Sequence, residues 1–313
     1  TFMRPFNRIK FYLVTKCCFH DRMYVMKKLV SLTLLLFLLI SSSSVYARSI
    51  DTQIQEFMDS PAPDFSELSK EHGSKTINEF DAIIEKEIIS ELRYSYSDNH
   101  DETLYFKQEI INLSNNSRNE LEKMNFNYKQ IDAILSTKGL SADKVSNDVA
   151  RRASANLQFN MYKNRFEYGD YAVVDAYWAW ESSPVSAKKD TVVFGFSDGF
   201  TANVDRTVMK VTYRDLDGNY KGEQYYSPNG LVQGLRFDFE QSYAPGALRS
   251  LSSGKVYLVI DNRENKDYVE VHGKYLHNYL GVLPSINISG SNLVSIGFSS
   301  NTKEMGDGYI VMP

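Results

Sequence analysis

The chain has 313 residues, 35 lysines and arginines against 39 aspartates and glutamates, and a formal net charge of −4. That length supports two domains with sizeable cores. The acidic balance disfavours a protein that binds nucleic acid through nonspecific charge attraction.

In chain order, residues 1–25 come first, with Arg4, Arg8, Lys10, Lys16 and Arg22 set against Asp21 alone. They read as upstream translation before a true start at Met26 or Met23. Residues 26–47 then have the form of a secretory signal: Lys27 and Lys28, an uncharged apolar run from Leu29 to Ile40, and Val45-Tyr46-Ala47 before Arg48. Twelve helical residues span about 18 Å, too short for a hydrocarbon core of roughly 30 Å, so the run is expected to direct export and not to anchor the chain. Cys17 and Cys18 both precede the cut. A released chain therefore has no thiol, forms no disulfide and depends on its core for stability. Seven of the 35 basic residues and one of the 39 acids leave with the signal, which makes the released chain more acidic still. These features point to a bacterial, secreted, cysteine-free protein.

Residues 48–164 read as a helical segment. Thr76-Ile77-Asn78-Glu79 fits a capping box ahead of Ile77, Phe80, Ile84 and Ile88 at helical spacing. Leu121, Met124, Tyr128, Ile131 and Leu135 predict one helix, or two broken near Asn125-Phe126-Asn127. Gly139 marks a stop, and Ser141 is placed to cap a helix carrying Val145, Val149, Ala153, Leu157 and Met161.

Across residues 165–313 the period changes to two. Met209, Val211 and Tyr213 alternate with polar neighbours, as do Leu235, Phe237 and Phe239, then Val256, Leu258 and Ile260, then Val269 and Val271. Gly, Pro, Asn and Asp punctuate the runs, as in Asp217-Gly218 and Pro228-Asn229-Gly230. The expected fold is α+β, a helical N-terminal segment followed by an antiparallel β-sandwich of about eight strands.

Candidate chemistry is sparse. Gly195-Phe196-Ser197-Asp198-Gly199 matches the G-x-S-x-G turn of serine hydrolases, with His277 or His272 as a possible base. That reading needs a helix after Gly199, and the pattern there is a strand. Asp215-Leu216-Asp217-Gly218-Asn219 resembles a calcium loop, but glycine is fourth and position twelve is Tyr226, so a type I′ hairpin turn is the better reading. His72, His100, His272 and His277 lack zinc spacing. No catalytic residue, metal or cofactor is assigned.

Aromatic residues are the positive signal. Tyr177, Trp178 and Trp180 share a strand, and Tyr225, Tyr226, Tyr243, Tyr257, Tyr268, Tyr275 and Tyr279 add rings with polar tips. Trp180, Tyr257 and Tyr268 are the candidate ligand-binding residues, although burial in the core is the simpler role for the tryptophans. The function expected is noncatalytic binding of an extracellular ligand, either carbohydrate or a cell-surface protein. Nucleic acid is not expected as a partner, and the membrane serves only as the export route. The alternatives are a secreted hydrolase using Ser197 or a membrane-active toxin.

The cut is expected after Ala47, because Val45 and Ala47 are small enough for the peptidase subsites. N-terminal sequencing of protein from the culture medium should read Arg48-Ser49-Ile50. Recovery of residues 29–40 in a membrane fraction would show a signal anchor instead.

Overall fold

The computed structural model describes residues 50–70, 75–92, 99–167, 170–186, 188–242, 250–278, 283–289, 294–298 and 302–313, without the side chains of 86–92 and 99–101. The expectations for the signal peptide, His72, Tyr243, Tyr279 and the side chains of Ile88 and His100 lie outside these residues. The chain divides into two compact units, Thr1–Gln55 and Glu56–Pro313. Of the first, residues 50–55 are described and are helical. All that follows concerns the second.

Antiparallel strands dominate it. Helix α1 (Ile50–Asp59) ends within it and α2 (Phe65–Leu68) follows, with Asp64 and Glu67 forming a reciprocal capping box. The other helices are α3 (Glu79–Leu92), α4 (Asn99–Leu113), α5 (Arg118–Lys123), α6 (Tyr128–Leu135) and α7 (Asn147–Ala153). The strands are β1 (Lys75–Asn78), β2 (Asn156–Glu167), β3 (Tyr171–Trp180), β4 (Lys189–Phe196), β5 (Phe200–Ala202), β6 (Val208–Arg214) and β7 (Tyr220–Tyr226). They continue with β8 (Asn229–Leu231), β9 (Gly234–Glu240), β10 (Leu251–Asn262), β11 (Val269–His277), β12 (Ile286–Ser289), β13 (Ser295–Phe298) and β14 (Lys303–Met312). One sheet runs β1-β2-β3-β10-β6-β7, with β5 also on β10. A second runs β14-β11-β4-β9-β8, and β12-β13 form a hairpin. Fourteen strands among the described residues exceed the eight expected, because short strands at the edges carry little periodicity.

Several local expectations are corrected. Thr76-Ile77-Asn78 is not a capping box but strand β1, paired with β2 from Lys75↔Phe159 to Asn78↔Asn156. Asn78 Oδ1 caps α3 instead, accepting from Phe80 N–H at 3.1 Å. The break expected near Asn125-Phe126-Asn127 is present: the 121–135 stripe is two helices, each with its own capping box, separated by Asn125 at φ 63°. Ser141 makes no side-chain cap; Ser146 caps α7, and Leu157 and Met161 belong to β2. Strand β2 therefore crosses position 164/165, where the change of period had placed a border. Four-residue spacing also fits the inward face of a strand, which is why the line through Leu157 and Met161 misled.

Inward residues of the two sheets form one core: Trp178, Phe194, Phe237, Phe239, Leu258 and Tyr275 are buried in it. Gly254, opposite Trp178 in the ladder, makes room for the indole; a Cβ there would lie 2.0 Å from the ring. The helices enclose a separate core of Phe80, Phe106, Ile110, Leu121, Ile131 and Ile134, which Val185 joins from the β3–β4 connection.

A buried polar network ties the helices to both sheets. His277, the last residue of β11, places Nδ1 2.8 Å from Asp190 Oδ1 and Nε2 3.2 Å from Glu79 Oε1. Glu79 opens α3 and also accepts N–H bonds from Val185 (3.0 Å) and Ser186 (3.3 Å). Asp190 accepts from the Tyr275 hydroxyl and the Gln241 amide, and Tyr275 in turn accepts from Trp180 Nε1 at 3.0 Å. Burial alone would depress the His277 pKa, but the Asp190 and Glu79 carboxylates outweigh it and raise it to about 10.

Because the folded pKa stands above the ordinary 6.5, the stabilisation from His277 is complete below pH 6.5 and is lost as pH rises through 10. Urea midpoints should therefore fall over that interval, and fall less in His277→Gln. At neutral pH that variant leaves two buried carboxylates without their cation and should lose about 3–5 kcal/mol.

Candidate functional site

The outer face of the larger sheet carries an unusual set of side chains for a covered surface. Cross-strand register sets them in rows. Gln158, Ala179, Ser253, Thr212 and Glu223 form one row, and Asn160, Tyr177, Lys255, Lys210 and Tyr225 the next. Tyr162, Asp175, Tyr257 and Val208 form a third. Small residues in the middle of the first row leave a shallow trough, and residues 56–68 lie over the face.

Polar groups make much of that attachment. Lys255 Nζ donates to Phe57 O, Ser60 O (2.5 Å) and Ser60 Oγ (2.6 Å). Lys210 Nζ donates to Met58 O at 2.7 Å and pairs with Glu223 at 3.2 Å. Arg214 Nη2 donates to Ala62 O at 3.2 Å. The two ammonium groups thus satisfy carbonyls at the end of α1, where orphan acceptors and the helix dipole favour cations. The Phe57 ring lies 5.7 Å from that of Tyr177 and 5.3 Å from that of Tyr257.

The face is electrostatically tense. Burial first, and the neighbouring Lys210 second, bring Lys255 down to about 8, against the pull of Asp175 and Asp59. Burial pushes Asp175 up to about 6, although Asn164 and Lys255 oppose it. Four buried polar atoms on this face have no hydrogen-bond partner: Gln158 Oε1, Asn160 Nδ2, Asp175 Oδ1 and Thr212 Oγ1. Such groups are costly to leave unmet.

At one end the covering segment does not close on the sheet. A cleft of about 430 Å³ remains, lined by Pro61, Phe65, Trp180, Arg214, Leu251 and Ser253 among others. Its size and mixed polar and apolar lining suit a small ligand or a few residues of a chain.

The three aromatic candidates are not brought together. Trp180 is buried, lines the cleft and gives its indole N–H to Tyr275. Tyr257 is buried beneath Phe57, whereas Tyr268 is 54% exposed, just before β11 in the other sheet. Trp178 is in the core.

The hydrolase turn is not formed. Strand β5 follows Gly199 where a helix is needed, and Ser197 Oγ accepts from Glu270 N–H at 3.2 Å. The imidazole nitrogens of His277 face Asp190 and Glu79, and those of His272 face Val294 O and Asp307. His272 thus pairs with Asp307. Ser60 and Lys255 resemble a serine–lysine pair, but the Ser60 hydroxyl donates to Phe57 O at 2.7 Å and the ammonium donates to it. That polarity belongs to a helix cap and not to a nucleophile with its base.

The 215–219 loop is a hairpin turn, and its type is corrected. Gly218 N–H donates to Asp215 O at 3.0 Å, and φ is positive at Gly218 (82°) but not at Asp217, giving a type I turn with a left-handed glycine in place of type I′. Asp215 accepts from Asn219 N–H (2.8 Å) and Lys221 Nζ (2.8 Å), which uses its oxygens within the hairpin. Among the described residues no group of three or more His, Cys, Asp or Glu is placed to hold a metal ion.

Lys210, Lys255 and Arg214 were missed from the sequence because a lysine at an outward strand position ordinarily means solvent. A signal was available: Val256-Tyr257-Leu258-Val259-Ile260 is apolar or aromatic on both parities, which requires cover on both faces.

No family model matches the chain, and no curated protein matches it either. Among solved structures, the collagen-binding subdomain of the Enterococcus faecalis surface protein ACE aligns with 9% identity and a TM-score of 0.26, over 49% of this chain and 96% of that one. The collagen-binding domain of a Staphylococcus aureus adhesin aligns at 8% identity and 0.27, over 49% and 95%. The T6 backbone pilin of Streptococcus pyogenes serotype M6 aligns at 12% and 0.29, over 50% of this chain and 34% of the pilin. At these scores the alignments carry no inference about ligand or activity.

Proposed function

We propose that the protein is exported and acts outside the cell as a noncatalytic binding protein. The observation that carries this reading is the cleft between residues 61–67 and the end of the larger sheet, about 430 Å³ in volume, with the Arg214 side chain at its wall. The ligand is an extracellular polypeptide or carbohydrate. Trp180 contributes to the lining of its seat, Tyr257 supports the neighbouring face, and Tyr268 offers a separate exposed ring.

Among the described residues no helix is long and apolar enough to cross a membrane. Export in this reading rests on the n-region, apolar run and cleavage site of residues 26–47.

The test is a binding screen of the released protein against immobilised glycans and extracellular matrix proteins, repeated with Leu251→Trp to fill the cleft. Binding should weaken at least tenfold in the variant while the melting temperature stays within a few degrees. Equal binding by both proteins would remove the cleft from the function.

A further inference from the structure

The segment covering the larger sheet has a composition that fits the face beneath it. Residues 56–68 contain Glu56, Asp59, Asp64 and Glu67, with no lysine or arginine, and two phenylalanines. The face presents Lys210, Lys255 and Arg214 together with Tyr177 and Tyr257. The bonds from the three cations go mainly to main-chain carbonyls, which any polypeptide supplies. These bonds ask only for main-chain acceptors; the preference for an acidic chain comes from the attraction of Lys255 to Asp59 and of Arg214 to Asp64, and that for a ring from the contacts of Phe57.

Two further observations set this segment apart from ordinary covering structure. Beneath it Gln158 and Thr212 are 2% and 4% exposed, and each keeps a polar side-chain atom without a hydrogen-bond partner. Segment 56–68 thus fills the face without satisfying it. Beside it the cleft leaves part of the same trough open, where Ser253 lies next to Thr212 in the ladder.

We propose that this face is a polypeptide-binding surface whose internal occupant is residues 56–68, and that its partner is an acidic, phenylalanine-containing segment of another extracellular protein. The partner's carbonyl or carboxylate oxygens meet Lys210, Lys255 and Arg214, its ring takes the position of Phe57, and its polar groups reach Gln158 and Thr212. The proposal rests on the binding reading above and names the class of ligand. A tethered segment competes at an effective concentration on the order of millimolar, so free peptide binds the unaltered chain weakly.

The probe is a fluorescent synthetic peptide with the sequence of residues 56–68, and the protein is the full chain. Phe57→Ser with Met58→Ser weakens the internal segment and should tighten peptide binding at least tenfold over the unaltered chain. Adding Lys210→Glu and Lys255→Glu should abolish it, and a charge-reversed peptide should not bind. A double-serine variant with native circular dichroism and no peptide binding overturns the proposal. Should that variant fail to fold, hydrogen exchange on the unaltered chain decides: excess peptide should speed exchange within 56–68 and leave β3 and β10 unchanged, and no change overturns it. Exchange of the segment between two copies, seen as a concentration-dependent dimer that peptide does not dissociate, also overturns the external partner. If Leu251→Trp loses a glycan or matrix ligand while peptide never binds, this inference fails alone.

Discussion

Between the helices and the two sheets sits an imidazolium with a carboxylate on either side, each member brought from a different part of the chain. Glu79 begins a helix, Asp190 lies on β4 and His277 ends β11, and all three are almost wholly buried. Two carboxylates this close would repel each other in a dry interior, so the shared cation is the condition for both to be there. The remaining acceptor capacity is met by N–H groups of Val185, Ser186 and Asn278, the Gln241 amide and the Tyr275 hydroxyl. Such an array adds less to net stability than its bond count suggests, because desolvation offsets much of the gain. What it adds is selectivity: a slipped strand or displaced helix would leave a buried charge unmatched.

With that junction fixed, the rest of the architecture has little freedom. The anchored start of α3 sets where the helical core meets the β3–β4 connection, and Val185 enters that core directly beside the N–H it gives to Glu79. The larger sheet is covered on both sides, by the second sheet and by residues 56–68. Its outer face nevertheless keeps two lysines bonded to that segment and several unpaired polar atoms. The Glu79–Asp190–His277 junction has its polar groups paired, whereas the outer face of the larger sheet keeps polar atoms unpaired.

Much of the β-region was legible in the sequence because its inner residues are large and strictly alternate: Leu235, Phe237 and Phe239 face the core as the period of two requires. Leu157 and Met161 were misread because four-residue steps fit both a helix stripe and one face of a strand. The capping signal at Thr76 failed for a similar reason, since pairing with β2 outweighed a local preference worth about 1 kcal/mol. The candidate site was harder to see. Lys210 and Lys255 are ordinary outward strand residues until a segment some 150 to 200 positions earlier folds over them. His277 showed nothing of its partners, which lie 87 and 198 positions away. Pairings of that range leave no periodic trace.

The bond from Lys255 to Ser60 O joins residues 195 positions apart, and this bears on the order in which the molecule assembles. Contacts of such long range form late, since the entropy of closing the intervening loop is spent before they stabilise anything. During synthesis residues 56–68 are made before β6 and β10 and have nowhere on this face to dock until those strands follow. Until residues 208–214 and 251–262 have been made, the segment lacks the cations that hold it in the finished protein. Docking of the segment is thus an event that completes the fold, since its cations come from two strands that must both be in place.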